Sequence, residues 1–278
     1  MLRREAILLL GGTGGLACAG QTEQPSAVLV DIAARRAIAV QGSPAQLLGP
    51  PGSSLKPLVL LALLRAGKLR RDESFPCPGA LEIGRHSLPC SHPPINEPMR
   101  IPTALAYSCN CFVAHFASRF APGELSAHFE RAGLRSRTGW FGDAEATGRI
   151  EPAGAGDSSR LQALGEERVE VTPAELAAAY RTLALNIGRP EMQPILEGLE
   201  GAVEFGTAQR ARVPNLKVAG KTGTVRTAAG LQLAWFAGFA PSRAPRVVIA
   251  VMVQGRSGAG DSAPVAGRLF EAWQAGKL

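Results

Sequence analysis

The chain has 278 residues, of which 46% are hydrophobic, enough for one large domain or two small ones with a substantial core. Its net charge of +7 comes from scattered basic residues, and only 5% of the residues are aromatic. Without a stacking platform or a basic helix, binding to nucleic acid is not expected. Beyond the N-terminus no apolar run reaches the roughly 18 residues that a transmembrane helix needs, so the sequence argues against an internal membrane span.

The first segment has the pattern of an export signal. "MLRREAILLLGGTGGLACAG" has a charged start, a short apolar run and small residues at its end, so residues 1–19 are predicted to be a cleavable signal. The adjacent Arg3 and Arg4 resemble a twin-arginine signal. Two alternatives stay open, a lipid-modified Cys18 and an uncleaved N-terminal anchor. The body of the protein is expected in the periplasm or at the cell envelope, with membrane attachment only if this segment is retained or lipidated.

Two strands and a buried helix come next. "AVLVDIAARRAIAV" (27–40) predicts two short strands joined by a charged turn. "PPGSSLKPLVLLALL" (50–64) opens a helix that is apolar on every side and ends at Gly67. Residues 70–100 are rich in Pro, Gly, Cys and His and show no period, so they are predicted to be irregular.

Helices dominate the middle of the chain. "IPTALAYSCNCFVAHFASRF" (101–120) predicts two helices with a break at 108–110. An amphipathic helix opens near Pro122. Farther on, Thr172 is predicted to cap a helix that has Pro173 in its first position.

The last third of the chain changes to strands. "LKVAGKTGTV", "QLAWFAGFAP" and "RVVIAVMVQG" predict three strands, and an amphipathic helix closes the chain. Strands at both ends with helices between them predict one sheet built from both ends and a helical insertion. We therefore expect a single domain over 27–278, with a sheet from 27–50 and 215–278 and a helical subdomain at about 70–190.

A serine and a lysine stand at the start of the apolar helix. Ser53 and Lys56 are three residues apart, so on a helix they share one face. A serine hydroxyl needs a base to become a nucleophile, and burial together with the helix N-terminus lowers the pKa of a lysine enough for that task. The backbone N–H groups at the same helix start suit an oxyanion. The alternative is that Ser53 only caps the helix while Lys56 extends outward to water.

Two further motifs favour the catalytic interpretation. Ser108-Cys109-Asn110 lies at the predicted break between two helices, and "KTGT" from Lys221 to Thr224 lies on a predicted strand. The chain thus holds Ser-x-x-Lys, Ser-x-Asn and Lys-Thr-Gly in this order. Each motif alone is weak evidence. The occurrence of all three in this order, each in the expected structural context, is improbable by chance.

These motifs resemble those of the transpeptidase domain of penicillin-binding proteins, which are related to serine β-lactamases. "LLGPPGSSLKPLVLLALLRAGKL" resembles the nucleophile segment of that family, and "FPCPG…C…H…AYSCNCF" resembles the stretch leading to its second motif, closest to class B members. "VTPAELAAAYRTLALNIG" and "VAGKTGTV…LAWFAGFAP" resemble its following helix and its third motif. The resemblance runs from about Ala27 to the C-terminus.

The resemblance implies a mixed α/β fold, with an antiparallel sheet flanked by helices beside an all-helical subdomain and the active site in the cleft between them. It implies a peptidoglycan D-alanyl-D-alanine transpeptidase or carboxypeptidase that forms an acyl-enzyme on Ser53 and binds penicillin covalently. Its partners would be peptidoglycan stem peptides, β-lactams and other proteins of cell-wall synthesis, and no cofactor is required.

The resemblance also implies a role for each motif residue. Lys56 is the base for Ser53, Ser108 relays a proton to the leaving group, and Asn110 orients Lys56 and a substrate carbonyl. On the strand, the absence of side chains at two glycines lets a peptide backbone approach. The substrate-binding residues there are Lys221, Thr222, Gly223 and Thr224, the two threonines with the lysine holding a carboxylate and the Thr224 N–H completing the oxyanion hole.

Three departures from the family pattern bear on the acceptor side of the cleft. Class B members carry an N-terminal domain, whereas Ser53 follows the predicted signal almost at once. The usual Gly-Gln-Gly before "VTP" is replaced by "GEERVE", and the region at 122–166 is short. A reduced acceptor side is therefore expected, which bears on whether the chain cross-links stem peptides.

Four cysteines remain after the predicted signal, and their state has alternatives. In an exported protein Cys77 and Cys90 could form a disulfide across a loop. A structural zinc ion held by Cys77, Cys90, His92 and Cys109 is the second interpretation, and free buried thiols are the third. Zinc binding would fix the irregular loop to the second motif.

Two other functions compete with a cell-wall enzyme. A serine β-lactamase needs a base for a deacylating water, and Glu166 and Glu167 are candidates by charge, although "RVEVTP" after them resembles penicillin-binding proteins. A non-catalytic penicillin-binding or sensor module is the other alternative, but loss of function usually erodes motif residues, and here all of them are present.

Overall fold

The computed structural model describes residues 24–84 and 86–278. The predicted export signal, with Arg3, Arg4 and Cys18, lies outside the described residues. Within the described ranges, no helix is both long and apolar enough to cross a membrane.

The centre of the molecule is a five-stranded antiparallel sheet with the strand order β2-β1-β9-β8-β7. Its strands come from both ends of the chain, and β1 pairs with both β2 and β9. The strands are β1 (Ser26–Asp31), β2 (Arg36–Gln41), β7 (Ala219–Arg226), β8 (Gln232–Ala240) and β9 (Val247–Gln254). β7, which carries the "KTGT" motif, is an edge strand of this sheet.

Two short antiparallel strand pairs lie outside the main sheet. β3 (Glu82–Ile83) pairs with β4 (His86–Ser87), and β5 (Arg149–Ile150) pairs with β6 (Val169–Glu170). The stretch at 70–100 that the sequence predicts to be irregular thus contains one short antiparallel pair.

Eight α-helices of the described residues surround the sheet, and all but the last lie between β2 and β7 in the chain. They are α1 (Lys56–Arg65), α2 (Ile101–Ala106), α3 (Asn110–Ala117), α4 (Glu124–Arg131), α5 (Asp157–Leu164), α6 (Pro173–Leu185), α7 (Gln193–Glu204) and α8 (Ala263–Gln274). The predicted fold class, an antiparallel sheet flanked by helices, is confirmed.

The sheet has a separate hydrophobic core on each face because side chains alternate along its strands. Val28 and Val30 of β1 point to the core that contains α1, α3 and α6. Ala27 and Leu29 point to the other core, which α8 covers. The first core is the larger one, and the apolar residues of α1 are packed inside it.

Helix α1 is buried on every side, as its sequence predicts. All eight residues from Lys56 to Leu63 are buried, including the lysine. The start of α6 also follows its sequence, since the Thr172 side chain caps the helix, Pro173 takes the first position, and Glu175 completes a capping box. Helix α1 directly follows the turn that carries Ser53, and Val171, just before α6, pairs with Gly49, just before that turn.

Candidate active site

Ser53 lies in a short 3₁₀ turn, Gly52–Leu55, that leads directly into α1. Gly52 has a φ of +54°, a conformation that favours glycine, and its N–H donates to the Gly165 carbonyl at 3.1 Å. The Ser53 side chain is half-buried and makes no capping hydrogen bond at the start of either helix. The capping interpretation of Ser53 is therefore wrong.

Lys56 joins the first motif to the second. Its Nζ donates to the Ser108 carbonyl at 2.7 Å and to Asn110 Oδ1 at 2.6 Å, and it lies 3.3 Å from Ser108 Oγ. The residue is fully buried, so its side chain does not extend to the surface. The structure thus brings Lys56, Ser108 and Asn110 together. Lys56 in turn lies three residues after Ser53 in the chain.

The environment of Lys56 makes its proton easier to lose. Burial lowers the pKa of Lys56 from the ordinary 10.5 to about 8, and the charges of nearby cysteines and of Glu166 act in the opposite direction. An amine with a pKa near neutral pH is partly unprotonated under physiological conditions and can accept a proton from a hydroxyl.

The second motif lies at a sharp change of chain direction between α2 and α3, as predicted. Ser108 has a φ of +59°, which is unusual for a residue other than glycine. Cys109 is the N-cap of α3, and its Sγ accepts a hydrogen bond from the Phe112 N–H at 3.4 Å. This break turns the Ser108 carbonyl and the Asn110 side chain toward the same lysine.

The third motif runs along the edge strand β7. Lys221 is fully buried, and burial together with the charge of Lys56 lowers its pKa well below the ordinary value. Its Nζ donates to the Thr222 carbonyl at 3.0 Å. Thr224 is exposed, and its hydroxyl oxygen accepts a hydrogen bond from the Gly258 N–H at 3.0 Å.

The glycines of β7 allow close packing within the protein itself. A Cβ on Gly223 would lie 2.5 Å from the Pro51 carbonyl oxygen, and a Cβ on Gly220 would lie 2.3 Å from the ring of Phe236. Atoms of the protein itself fill the space into which side chains at these two positions would project. At Gly223 this close approach brings the strand against the turn that holds Ser53.

The sequence analysis missed two residues that contact the site. Thr207 Oγ1 and Thr222 Oγ1 are 2.8 Å apart, and the Thr207 N–H donates to the Ala106 carbonyl at 3.1 Å, just before the second motif. The Tyr180 hydroxyl donates to the Ser54 carbonyl at 2.7 Å. Tyr180 belongs to a segment already compared with the family, whereas nothing in the pattern around Thr207 marks it.

The Cys77–Cys90 disulfide, one of the three alternatives for the cysteines, is not formed. All four are free, and Cys77 Sγ lies 3.7 Å from Cys90 Sγ, whereas a disulfide bond is about 2.05 Å long. Instead, the potential ligand atoms of Cys77, Cys90, His92 and Cys109 all lie within 4.8 Å of one another.

The spacing within this Cys₃His group fits a tetrahedral metal ion. Zinc with bonds of about 2.3 Å to sulfur and about 2.0 Å to nitrogen places its sulfur ligands about 3.8 Å apart and sulfur and nitrogen about 3.5 Å apart. The measured separations are 3.5 Å from Cys77 Sγ to His92 Nε2, 3.5 Å from Cys77 to Cys109, and 3.8 Å from Cys90 to Cys109. The group could therefore hold zinc. Cys111 Sγ lies beside it, 3.5 Å from Cys90 Sγ.

Comparison with known proteins agrees with this geometry. The model of the penicillin-binding protein transpeptidase domain matches residues 25–272. The chain therefore belongs to the penicillin-binding protein transpeptidase family, and the resemblance inferred from its motifs is confirmed.

The curated relatives are distant and longer. The peptidoglycan D,D-transpeptidase PbpA of Mycobacterium tuberculosis is 24% identical over 248 residues, which cover 74% of this chain and 50% of the relative. The probable peptidoglycan D,D-transpeptidase PbpC of Pseudomonas aeruginosa is 27% identical over 73% of this chain and 41% of its own length. The chain thus spans about half the length, or less, of these relatives.

Solved structures show the same fold. Pseudomonas aeruginosa PBP2, in complex with WCK 5153, superposes with a TM-score of 0.79 at 21% identity, over 90% of this chain and 73% of that one. The transpeptidase domain of Burkholderia pseudomallei penicillin-binding protein 3 gives a TM-score of 0.79 at 20% identity, over 91% and 88%.

Proposed function

We propose that this protein is a serine D,D-transpeptidase or D,D-carboxypeptidase that acts on peptidoglycan stem peptides through an acyl-enzyme on Ser53. The observation that carries the proposal is the hydrogen bonding of Lys56 to both Ser108 and Asn110, with Nζ 2.6 Å from Asn110 Oδ1. Membership of the transpeptidase family supports the same reaction.

In the proposed acylation, neutral Lys56 accepts the proton of the Ser53 hydroxyl while the serine oxygen attacks the carbonyl carbon of the penultimate D-alanine. The oxyanion is held by the N–H groups of Ser53 and Thr224. The proton then passes through Ser108 to the amine of the departing D-alanine as the peptide bond breaks. A β-lactam ring opens by the same attack, which leaves the drug bound to Ser53.

Substrate binding is assigned to the edge of the sheet. The C-terminal carboxylate of the stem peptide would be held by the hydroxyls of Thr222 and Thr224, together with Lys221, whose Nζ donates to the Thr222 carbonyl. Gly223 keeps this strand close to the nucleophile, and Asn110 orients Lys56 and the substrate carbonyl.

Covalent labelling with a fluorescent penicillin tests the proposal. The purified protein should give a labelled gel band that is absent in Ser53→Ala and persists for many minutes. A band that appears and vanishes while the drug is consumed would identify a β-lactamase. A folded wild-type protein that gives no band would exclude Ser53 as the nucleophile and leave a non-catalytic module.

The Cys₃His group is proposed to bind a structural zinc ion through Cys77, Cys90, His92 and Cys109. Bound there, zinc would fix the loop at 77–92 to Cys109, which stands between Ser108 and Asn110 in the second motif. Elemental analysis should find about one zinc per chain, with Cys77→Ser reducing this content and lowering the melting temperature. Metal-free protein with an unchanged melting temperature would contradict the assignment.

The domain bounds and the export of the protein are also proposed. Residues 27–278 are proposed to form one penicillin-binding domain, and residues 1–19 a signal that exports it to the periplasm or cell envelope. Its relatives include proteins named peptidoglycan transpeptidases, which supports stem peptides as substrates. N-terminal sequencing of the protein secreted by a host bacterium would test whether the signal is removed.

A further inference from the structure

Glu166 is a glutamate whose carboxyl group makes no ion pair and no side-chain hydrogen bond with any described residue. Four glutamates border one cavity of about 460 Å³, and three of them form ion pairs. Glu167 pairs with His86 at 2.9 Å, Glu151 with Arg168 at 3.3 Å and Glu170 with Arg149 at 3.2 Å. Only Glu166 of this group makes neither an ion pair nor a side-chain hydrogen bond with a described residue.

Glu166 is also less exposed to solvent than its neighbour Glu167. Glu166 is half-buried while Glu167 is exposed. Burial raises the pKa of Glu166 above its ordinary value, and the charge of Lys56 acts in the opposite direction. A carboxylate that is partly desolvated and free of hydrogen-bond donors is more basic than its exposed neighbours.

The backbone places Glu166 beside the nucleophile turn. α5 ends at Leu164, and Gly165 follows with a φ of +72°. Its carbonyl accepts the hydrogen bond from the Gly52 N–H at 3.1 Å, and a Cβ on Gly165 would lie 2.3 Å from the Gly52 carbonyl oxygen. Glu166 therefore follows a residue that is in backbone contact with the residue preceding Ser53.

The cavity gives this carboxyl access to water. Besides Glu166 it is lined by Pro50, which leads into the nucleophile turn, and by Arg226 and Thr227 at the end of β7. A space of this size holds several water molecules. The cavity thus brings water to the Glu166 carboxyl and reaches Pro50, two residues before the turn that carries Ser53.

We propose that Glu166 is the general base that directs water onto the acyl-enzyme, so that the protein is a hydrolase, releasing stem peptides as a D,D-carboxypeptidase and slowly hydrolysing bound β-lactams. The inference rests on the proposed acylation of Ser53. Glu166 takes one proton from water as the water oxygen bonds to the acyl carbon. The ester bond to Ser53 Oγ then breaks as the serine oxygen takes up the proton that Glu166 received, relayed through Lys56. Glu166 thus returns to a carboxylate and Lys56 to a neutral amine, and the product leaves as a carboxylic acid.

Glu166→Gln separates release from acylation because it keeps the shape of the side chain and removes the base. After labelling with fluorescent penicillin and a chase with unlabelled drug, the label on this variant should persist about a hundredfold longer than on wild type. The rate of labelling should stay within about threefold of wild type. Glu167→Gln is the matched control and should change neither rate, and Glu166→Asp, which keeps a carboxylate, should fall between wild type and Glu166→Gln.

A second readout follows the oxygen atom. In ¹⁸O-labelled water, wild type should release a peptide acid carrying the isotope from a substrate ending in D-Ala-D-Ala, and Glu166→Gln should release about a hundredfold less. Equal label lifetimes in wild type and Glu166→Gln would overturn the proposal. So would a parallel loss of labelling in Glu166→Gln and Glu166→Asp, because Glu166 would then act before the acyl-enzyme. If wild type itself takes no label, the proposed acylation fails instead.

Discussion

At the scale of single residues, the site depends on a lysine amine that is buried away from water. Lys56 is fully buried, and its three polar contacts are two oxygens of Ser108 and one of Asn110. Burial favours the neutral amine, while these acceptors orient it. The Lys56 amine is therefore held in one orientation, in a protonation state that can accept a proton.

The pH dependence of acylation should report this environment. The pKa of Lys56 is lowered to about 8, and neutral Lys56 is the active form, so the rate should rise with pH and level off above about 8. The second-order rate of labelling by a fluorescent penicillin, measured from pH 6 to 9.5, provides the test. A rate independent of pH over this range would show that Lys56 is not the base.

Thr207 should act as a positioning residue for the third motif. Its hydroxyl lies 2.8 Å from that of Thr222, and a hydrogen bond of this kind contributes about 1 kcal/mol. Thr207→Val should reduce the rate of penicillin labelling about fivefold, mainly through weaker binding of the drug, while Thr207→Ser should retain the wild-type rate. If both variants lose the rate equally, packing and not the hydroxyl is what matters.

At the scale of elements, the nucleophile turn and the edge strand β7 touch through backbone atoms. Gly223 lies against the Pro51 carbonyl and the Ser54 N–H. On the other side of the turn, Gly52 and Gly165 are in equally close contact. Three glycines thus allow three segments from distant parts of the sequence to converge around Ser53.

Adding a methyl group at Gly223 should separate the strand from the turn. A Cβ there would lie 2.5 Å from a backbone oxygen. The shifts of backbone and side chains that such overpacking forces destabilise a protein by about 1–3 kcal/mol. Gly223→Ala should lower the free energy of unfolding by that amount. It should also reduce the rate of penicillin labelling at least tenfold, because the separated strand and turn no longer hold the drug beside Ser53. Gly188→Ala, where nothing lies within 4 Å of the added carbon, should leave urea unfolding and labelling unchanged.

The elements that the sequence predicts well are those with a local signal. Helix α1 is marked by its continuous apolar run, and α6 by Thr172 and Pro173 at its start. The two-residue strands β3 to β6 have no period of their own and form only because the tertiary structure brings their backbones together. For the same reason the fit of Gly223 against Pro51 and the contact between Thr207 and Thr222 could not be predicted, since each joins residues that are far apart in sequence.

At the scale of the whole molecule, helix α7 joins the helical part to the sheet. Glu200 of α7 is 8% exposed and accepts hydrogen bonds from Ser242 at 2.6 Å and from Arg243 at 3.0 Å, in the turn between β8 and β9. This carboxylate links the outer end of the sheet to a helix that also packs against α2.

Removing this carboxylate should weaken the fold in a pH-dependent way. Although burial raises it, the hydrogen bonds from Arg243 and Ser242 hold the pKa of Glu200 below its ordinary 4.5. Its stabilising effect is therefore present above that pH and is lost as the pH falls through the lowered value. Glu200→Ala should lose about 2 kcal/mol of unfolding free energy at pH 7, and the exposed Glu204→Ala should lose almost none. Urea unfolding at pH 7 and near pH 3 provides the test, and a difference from wild type that does not shrink in acid would contradict this role.

The sheet order also determines when the molecule can finish folding. Strand β1 lies between β2 and β9, so the first strand of the described chain meets its second partner only when residues 247–254 are available. While the chain emerges in order from a ribosome, the edge of β1 that will pair with β9 stays open until residues 247–254 have been made. Closure of the sheet is thus a late event that joins sequence-distant segments, which slows folding and prolongs the time in which unpaired strands can associate between molecules. A protein built in this way gains from being held unfolded until its last strand has arrived.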